Sequence, residues 1–215
     1  MYYALGSFVA VMLLIFFYHR IFHIERKSGR EMMLLVVLIA MTTILNIASV
    51  QVIPFQFGTA MVIITAVAFG PEAGFIVATM GRLLINFVQG QGPWTPWEMC
   101  AWGVLGILTG ILFKKDKHNS LKRVIILSLW TFVSVFILYG GIMNLHTYLF
   151  EVRYTTNGAL MDMLKSTYLA GIPYDLMHAT RASLAVFLLA NTLLKRLDRV
   201  KIKYGFYRVK SRRTY

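Results

Sequence analysis

The sequence predicts an all-α membrane protein. Three observations carry this: an excess of apolar residues, apolar runs of bilayer length, and basic residues gathered in blocks between those runs. Of 215 residues, 58% are hydrophobic and 14% charged, with a mean hydropathy of +0.64. Soluble domains hold about 45–50% apolar and about 25% charged residues, so an ordinary soluble globule is excluded. The 15 Phe, 11 Tyr and 4 Trp exclude intrinsic disorder, because such a chain carries too much apolar surface to stay solvated.

Crossing about 30 Å of hydrocarbon takes roughly 20 helical residues, fewer where a helix starts inside a protein cavity. Seven segments satisfy this. The first, Tyr2 to Tyr18, lacks a basic leader and a small-residue cleavage site and is expected to remain as an anchor helix. Met32 to Val52 is a long apolar run after a basic loop. Thr59 to Phe69 and Glu72 to Val88 meet at Gly70-Pro71, where a helix-stopping glycine is followed by a proline suited to a helix start, so the two form a tight hairpin. Glu98 to Phe113, Val124 to His146 and Tyr168 to Leu194 complete the set.

The formal charge of +13 raises nucleic-acid binding as a function, so the location of the cations decides. Eighteen of 22 basic residues fall in three blocks, four between Arg20 and Arg30, five between Lys114 and Arg123, and nine between Lys195 and Arg213. Each abuts an apolar run, which is the pattern of cytoplasmic loops. Nucleic acid is therefore not an expected partner, and the tail from Lys201 to Arg213 is read as facing anionic lipid headgroups. Alternation through seven spans puts all three blocks and the C-terminus inside. The N-terminus and the connections Ile53 to Gly58, Gln89 to Trp97 and Thr147 to Thr167 are then outside, where Pro54 and Asn157-Gly158 mark turns.

A lone Cys100 cannot form an internal disulfide, and no Cys/His cluster has metal-ligand spacing, so no metal is expected. No phosphate-gripping glycine loop with its Lys and Ser/Thr is present.

An ionisable side chain at mid-bilayer costs about 2.5–3.5 kcal/mol on insertion scales, so each needs a partner or a purpose. Arg82, Asn86 and Gln89 lie at i, i+4 and i+7 on one helical face. Tyr174, His178 and Arg181 repeat that spacing, flanked by Asp175. Each stripe rises about 10 Å, so both can line one cavity open to the exterior. A plainer reading has Asp175 neutralise Arg82 or Arg181 while His178 is a packing residue. Between the stripes lies Gly90-Gln91-Gly92-Pro93-Trp94-Thr95-Pro96-Trp97, with Glu98 and Trp102 following. An interfacial aromatic belt explains the tryptophans. It does not explain the restriction imposed by Pro93 and Pro96 or the close approach allowed by Gly90 and Gly92, which a rigid aromatic lid over a pocket does.

The run Gly70-Pro71-Glu72-Ala73-Gly74-Phe75, the segment from Gly90 to Met99 with Ala101-Trp102-Gly103, and Gly171-Ile172-Pro173-Tyr174-Asp175-Leu176-Met177-His178-Ala179 resemble substrate-binding S components of energy-coupling factor (ECF) transporters. The tail Leu197 to Gly205 is similar to that family too. The resemblance covers roughly Glu31 to Phe206. It implies a six-helix bundle, residues 31–195, with one extra N-terminal transmembrane helix and a basic loop in 1–30 and a basic cytoplasmic tail in 196–215. It further implies a subunit in a prokaryotic cell membrane that captures a vitamin from outside. A separate module, made of a coupling subunit and two ATPases, uses ATP, and the subunit itself needs no cofactor. The site residues expected on this basis are Arg82, Asn86, Gln89, Gln91, Trp94, Trp97, Trp102, Tyr174, Asp175 and His178. Close helix approach to the coupling subunit is assigned to Ala40, Thr43 and Ala48.

The Gly-Gln-Gly-Pro-Trp-Thr-Pro-Trp run is most similar to S components for cobalamin, and three tryptophans suit a broad corrinoid face. Other vitamins and a deazapurine precursor are the alternatives within the family. Outside it, the same residues fit an intramembrane enzyme using His178 with Asp175 or Glu98, or an assembly factor that docks a protein on the Trp loop.

Overall fold

Thirteen consecutive residues, Phe57–Phe69, form a helix that is apolar on every side, and from Gly58 onward every one of them is buried. A helix apolar all round belongs in the interior of a bundle. A computed structural model of the chain, describing residues 2–21, 28–52, 55–113, 121–154 and 160–205, builds the molecule around it. The helices are α1 (Tyr2–Ile21), α2 (Gly29–Val52), α3 (Phe57–Phe69), α4 (Pro71–Gln89), α5 (Thr95–Phe113), α6 (Leu121–Ser134), α7 (Gly140–Glu151) and α8 (Leu160–Tyr204). A π-helical turn, Val135–Tyr139, joins α6 to α7 without a break, and a 3-10 turn, Val152–Tyr154, ends that rod. Helix α3 packs against α2, α4, α5 and α8, and α1 lies outside, on α5 and α7.

Among the described residues, Gly29–Ser49, Thr95–Phe113, Leu121–Tyr154 and Leu160–Tyr204 are long and apolar enough to cross a membrane, and no strand is present. The protein is an all-α membrane protein. Polar side chains inside the helices are largely satisfied by their own backbones. The hydroxyls of Thr42, Thr79, Ser128 and Thr131 each donate to the carbonyl one turn earlier, at 2.8 to 2.9 Å. Without water, that is the available route to satisfaction. Pro54, Asn157-Gly158, most of the Lys114 to Arg123 block and the tail beyond Gly205 lie outside the described residues.

Three boundaries differ from the sequence expectation. The last helix runs from Leu160 to Tyr204 through Pro173, so residues 196–204, expected as a tail, continue it. Proline removes one backbone donor, and a bundle can absorb that loss through neighbouring helices. The fifth helix starts at Thr95, so Trp97 belongs to its first turn and the preceding connection shrinks to Gly90–Trp94. Of the expected docking residues, Ala40 and Ala48 are exposed together with Ile44, which is 65% accessible. Thr43 is not on that face. It is buried and turned toward α4, donating to the carbonyl of Ile39 at 2.9 Å and approaching that of Gly81.

The α3–α4 hairpin closes at Gly70, whose φ of 90° is open to glycine and strained for other residues. Helix α5 grips this turn through small residues. A Cβ on Gly110 would sit 2.4 Å from Pro71 backbone, and one on Gly106 would sit 2.6 Å from the Gly74 carbonyl. Backbone cannot yield as a side chain does, so Gly106→Ala is expected to cost about 1–3 kcal/mol by overpacking. Gly141→Ala, where a Cβ meets nothing within 4 Å, should cost nothing. Thermal unfolding of the detergent-solubilised pair reads the difference.

Candidate functional site

Arg82 sits in the last third of α4, two turns from its end, and the α4–α5 crossing brings it to Glu98 in the first turn of α5. Its guanidinium grips that carboxylate in the fork geometry, Nε donating to Oε2 at 2.9 Å and Nη2 to Oε1. Asn86, one turn further along α4, donates from Nδ2 to Glu98 Oε2 at 2.7 Å and to Thr95 Oγ1 at 3.0 Å. Thr95 in turn donates to Gln91 Oε1 at 2.9 Å, and the Gly92 N–H donates to Thr95 Oγ1. The positive end of α5 adds to the neutralisation of Glu98. Beneath the pair, the Arg82 guanidinium stands 5.3 Å from the ring centre of Trp102, one turn after Glu98 on α5.

The second stripe comes from α8. His178 is buried with Nε2 3.2 Å from the hydroxyl of Thr59, at the start of α3. The edge-on ring of Tyr139, from the π-helical turn, has its centre 4.6 Å away, and Tyr174 flanks the imidazole at 6.3 Å. Arg82 lies within electrostatic reach of Tyr139 and Tyr174, and His178 within reach of Arg82. The stripes therefore converge. Asp175 faces the other way, toward α7. Its Oδ2 accepts from Asn144 Nδ2 at 2.7 Å, and its carboxylate lies against Gly140. It pairs with neither Arg82 nor Arg181, and it makes no hydrogen bond to His178.

The other expected residues divide. Gln91 and Trp94 form the rim, where the partly exposed Trp94 indole covers Gly92. Gln89 is exposed and outside the network. Tyr174 is 58% exposed. The aromatic lid is not formed as one surface: Trp102 is in the interior, and Trp97 points at α1, donating from Nε1 to Ser7 Oγ at 3.2 Å beside Ala10 and Cys100. The physical reason is the early start of α5. On a helix, positions 97 and 102 lie about 140° apart and cannot share the surface of Trp94.

Sequence reading did not assign Glu98, Thr95, Thr59, Tyr139 or Asn46 to the pocket. Glu98 carried a readable signal, an acid in the first turn of a membrane helix with an unpaired arginine on the preceding one. Five buried polar atoms have no hydrogen-bond partner among the described residues, and three of them, Asn46 Nδ2, Trp102 Nε1 and His178 Nδ1, belong to this cluster or its border, while Thr65 Oγ1 and Arg123 Nε are the others. Asn46 presses on Gly58, the neighbour of Thr59, so it borders the His178 side of the cluster.

The model of one family, the S component of the ECF-type riboflavin transporter, matches residues 26–195. The chain belongs to this family. The S-component match begins after α1 and ends within α8, so both α1 and the basic end of α8 lie beyond it. No curated protein and no solved structure is significantly similar to the chain. Membership makes it a multi-pass plasma-membrane protein and the substrate-binding subunit of a transporter.

Truncating one member of a buried ion pair leaves the other charge stranded at a cost of about 3–5 kcal/mol, whereas replacing both by apolar groups is often neutral. Glu98→Ala is therefore expected to lower the unfolding temperature of this S component sharply. The double variant Arg82→Met with Glu98→Met should recover most of the loss. Equal instability of single and double variants would remove the pair from its central place.

Proposed function

We propose that this S component binds riboflavin or a closely related flavin from the outer side of the membrane and hands it to a separate coupling subunit with two ATPases. The observation that supports the ligand reading is that three of the five buried, unpartnered polar atoms belong to residues in or bordering the Arg82–His178 cluster, in a bundle most of whose buried hydroxyls are satisfied. Each unmade hydrogen bond at a buried group costs about 1–3 kcal/mol. A flat ring system with carbonyl and ring-nitrogen acceptors along one edge returns those bonds, with Trp102 Nε1 and Asn46 Nδ2 as donors and His178 taking either role. Tyr139, Tyr174 and Trp102 supply aromatic surface for the rings.

The corrinoid reading rested on the similarity of the Gly90 to Trp97 run to S components for cobalamin and on three tryptophans forming a broad lid. With Trp97 against α1 and Trp102 inside, the support passes to a narrower ligand, in line with the name of the matching family. An enzyme using a His178–Asp175 dyad draws no support from side chains that bond in opposite directions. In the orientation we propose, the Gly90–Trp94 rim is outside and the basic end of α8 inside.

Riboflavin fluorescence should be quenched on titration with the purified protein at micromolar or lower concentration, and cyanocobalamin should not compete. Trp102→Phe keeps the ring and removes the donor. It should weaken riboflavin binding about tenfold, the equivalent of one hydrogen bond, in addition to the fall in unfolding temperature that the smaller buried ring brings to the empty protein. Cobalamin binding with no response to riboflavin would overturn the ligand assignment. Failure to co-purify with an ATPase module would overturn the transport reading.

A further inference from the structure

At the end of the bundle opposite the Gly90–Trp94 rim, the first turns of α2 and the last turns of α8 leave an open groove of about 510 Å³ between them. Met33, Leu34, Val37 and Val200 make its walls, and Arg30 and Tyr204 stand at its end. The walls are apolar and the end is cationic. Met33 is 70% exposed, so the groove opens sideways, where hydrocarbon would lie. The Arg30 guanidinium makes no ion pair or hydrogen bond with another described residue. A second cation is next to the groove lining, Lys203 Nζ lying 5.4 Å from the ring centre of Tyr204.

The nearby charges fall into two groups. Lys201 is turned away from the groove, donating to the Ala68 carbonyl at the end of α3 and lying over Phe69. Of the acids, Glu31 accepts from the Ser28 N–H, and Asp198 lies within electrostatic reach of Lys201. With Arg30, Lys201 and Lys203 set against Glu31 and Asp198, the groove mouth keeps a net positive charge above an apolar channel.

We propose that this groove is a binding site for one anionic phospholipid, its acyl chain along Met33, Leu34, Val37 and Val200 and its phosphate between Arg30 and Lys203. An apolar channel with Arg30 at its end and Lys203 beside Tyr204 is complementary to a molecule with an apolar chain and an anionic head. A zwitterionic lipid fits the channel equally and gains less at the mouth, since its own cation meets two others. The site is independent of the flavin pocket, and failure of either assignment leaves the other standing.

Native mass spectrometry of the full chain, released from micelles holding equal dioleoylphosphatidylglycerol and dioleoylphosphatidylcholine, tests it. One phosphatidylglycerol should be retained at least fivefold over phosphatidylcholine. Arg30→Gln with Lys203→Gln should bring the ratio to about one, and Val37→Trp, which fills the channel, should lower retention of both lipids. Lys122→Gln with Lys195→Gln removes the same charge from α6 and from α8 two turns before Lys203, at residues that do not line the groove, and should preserve the preference. Equal loss in the two double variants would mean diffuse attraction to basic surface and overturn the site, as would retention unaffected by Val37→Trp or the absence of any preference.

Discussion

The short central helix α3 has no face to spare for lipid, and the rest of the bundle is arranged to cover it. Its 13 residues rise only about 20 Å, less than the hydrocarbon thickness, so it does not reach across the bilayer alone. The hairpin at Gly70-Pro71 and the glycines of α5 hold one of its ends against backbone. At the other end, Thr59 is left facing His178 across the interior, with Asn46 pressed on the adjoining Gly58. Burial of an apolar rod thus fixes one side of a polar cluster.

The opposite side depends on charge. Arg82 and Glu98 neutralise one another across the α4–α5 crossing, and Asn86 and Thr95 take up the remaining acceptor capacity of the carboxylate and the rim. The residues holding this side are committed to each other, whereas Trp102 Nε1, His178 Nδ1 and Asn46 Nδ2 are not. A closed ion-pair network thus stands beside buried polar atoms that the protein leaves unbonded.

Much of the fold was legible in the sequence because a bilayer imposes length and charge rules that single residues reveal. Apolar runs, basic blocks and Gly70-Pro71 located the helices to within a few residues in most cases. The ends of α8 were missed because the lipid-embedded portion of a helix carries the hydropathy signal and its solvent-exposed extensions do not. The polar stripes were readable from i, i+4 spacing: Arg82 and Asn86 share one network on Glu98, and His178 lies within electrostatic reach of Arg82. Partner choice was harder to read. Asp175 bonds Asn144 because Gly140 lets α7 approach it, a fact of interhelical distance with no local sequence signature. The tryptophans misled for a related reason: proximity in sequence became divergence once Thr95 started a helix. The grip of Gly103, Gly106 and Gly110 on α4 had a signal, small residues at i, i+3 and i+7, of the kind that allows close helix approach in membranes.

Helix α8 has 45 residues without a break, a length of about 68 Å, more than twice the roughly 30 Å of hydrocarbon. It therefore cannot move as an ordinary span does. A tilt of the bundle swings its ends along arcs wider than the motion of the core, and Lys195, Arg196, Arg199, Lys201 and Lys203 ride with one of them. Small rotations of the core are in this way magnified at the cationic end of a lever.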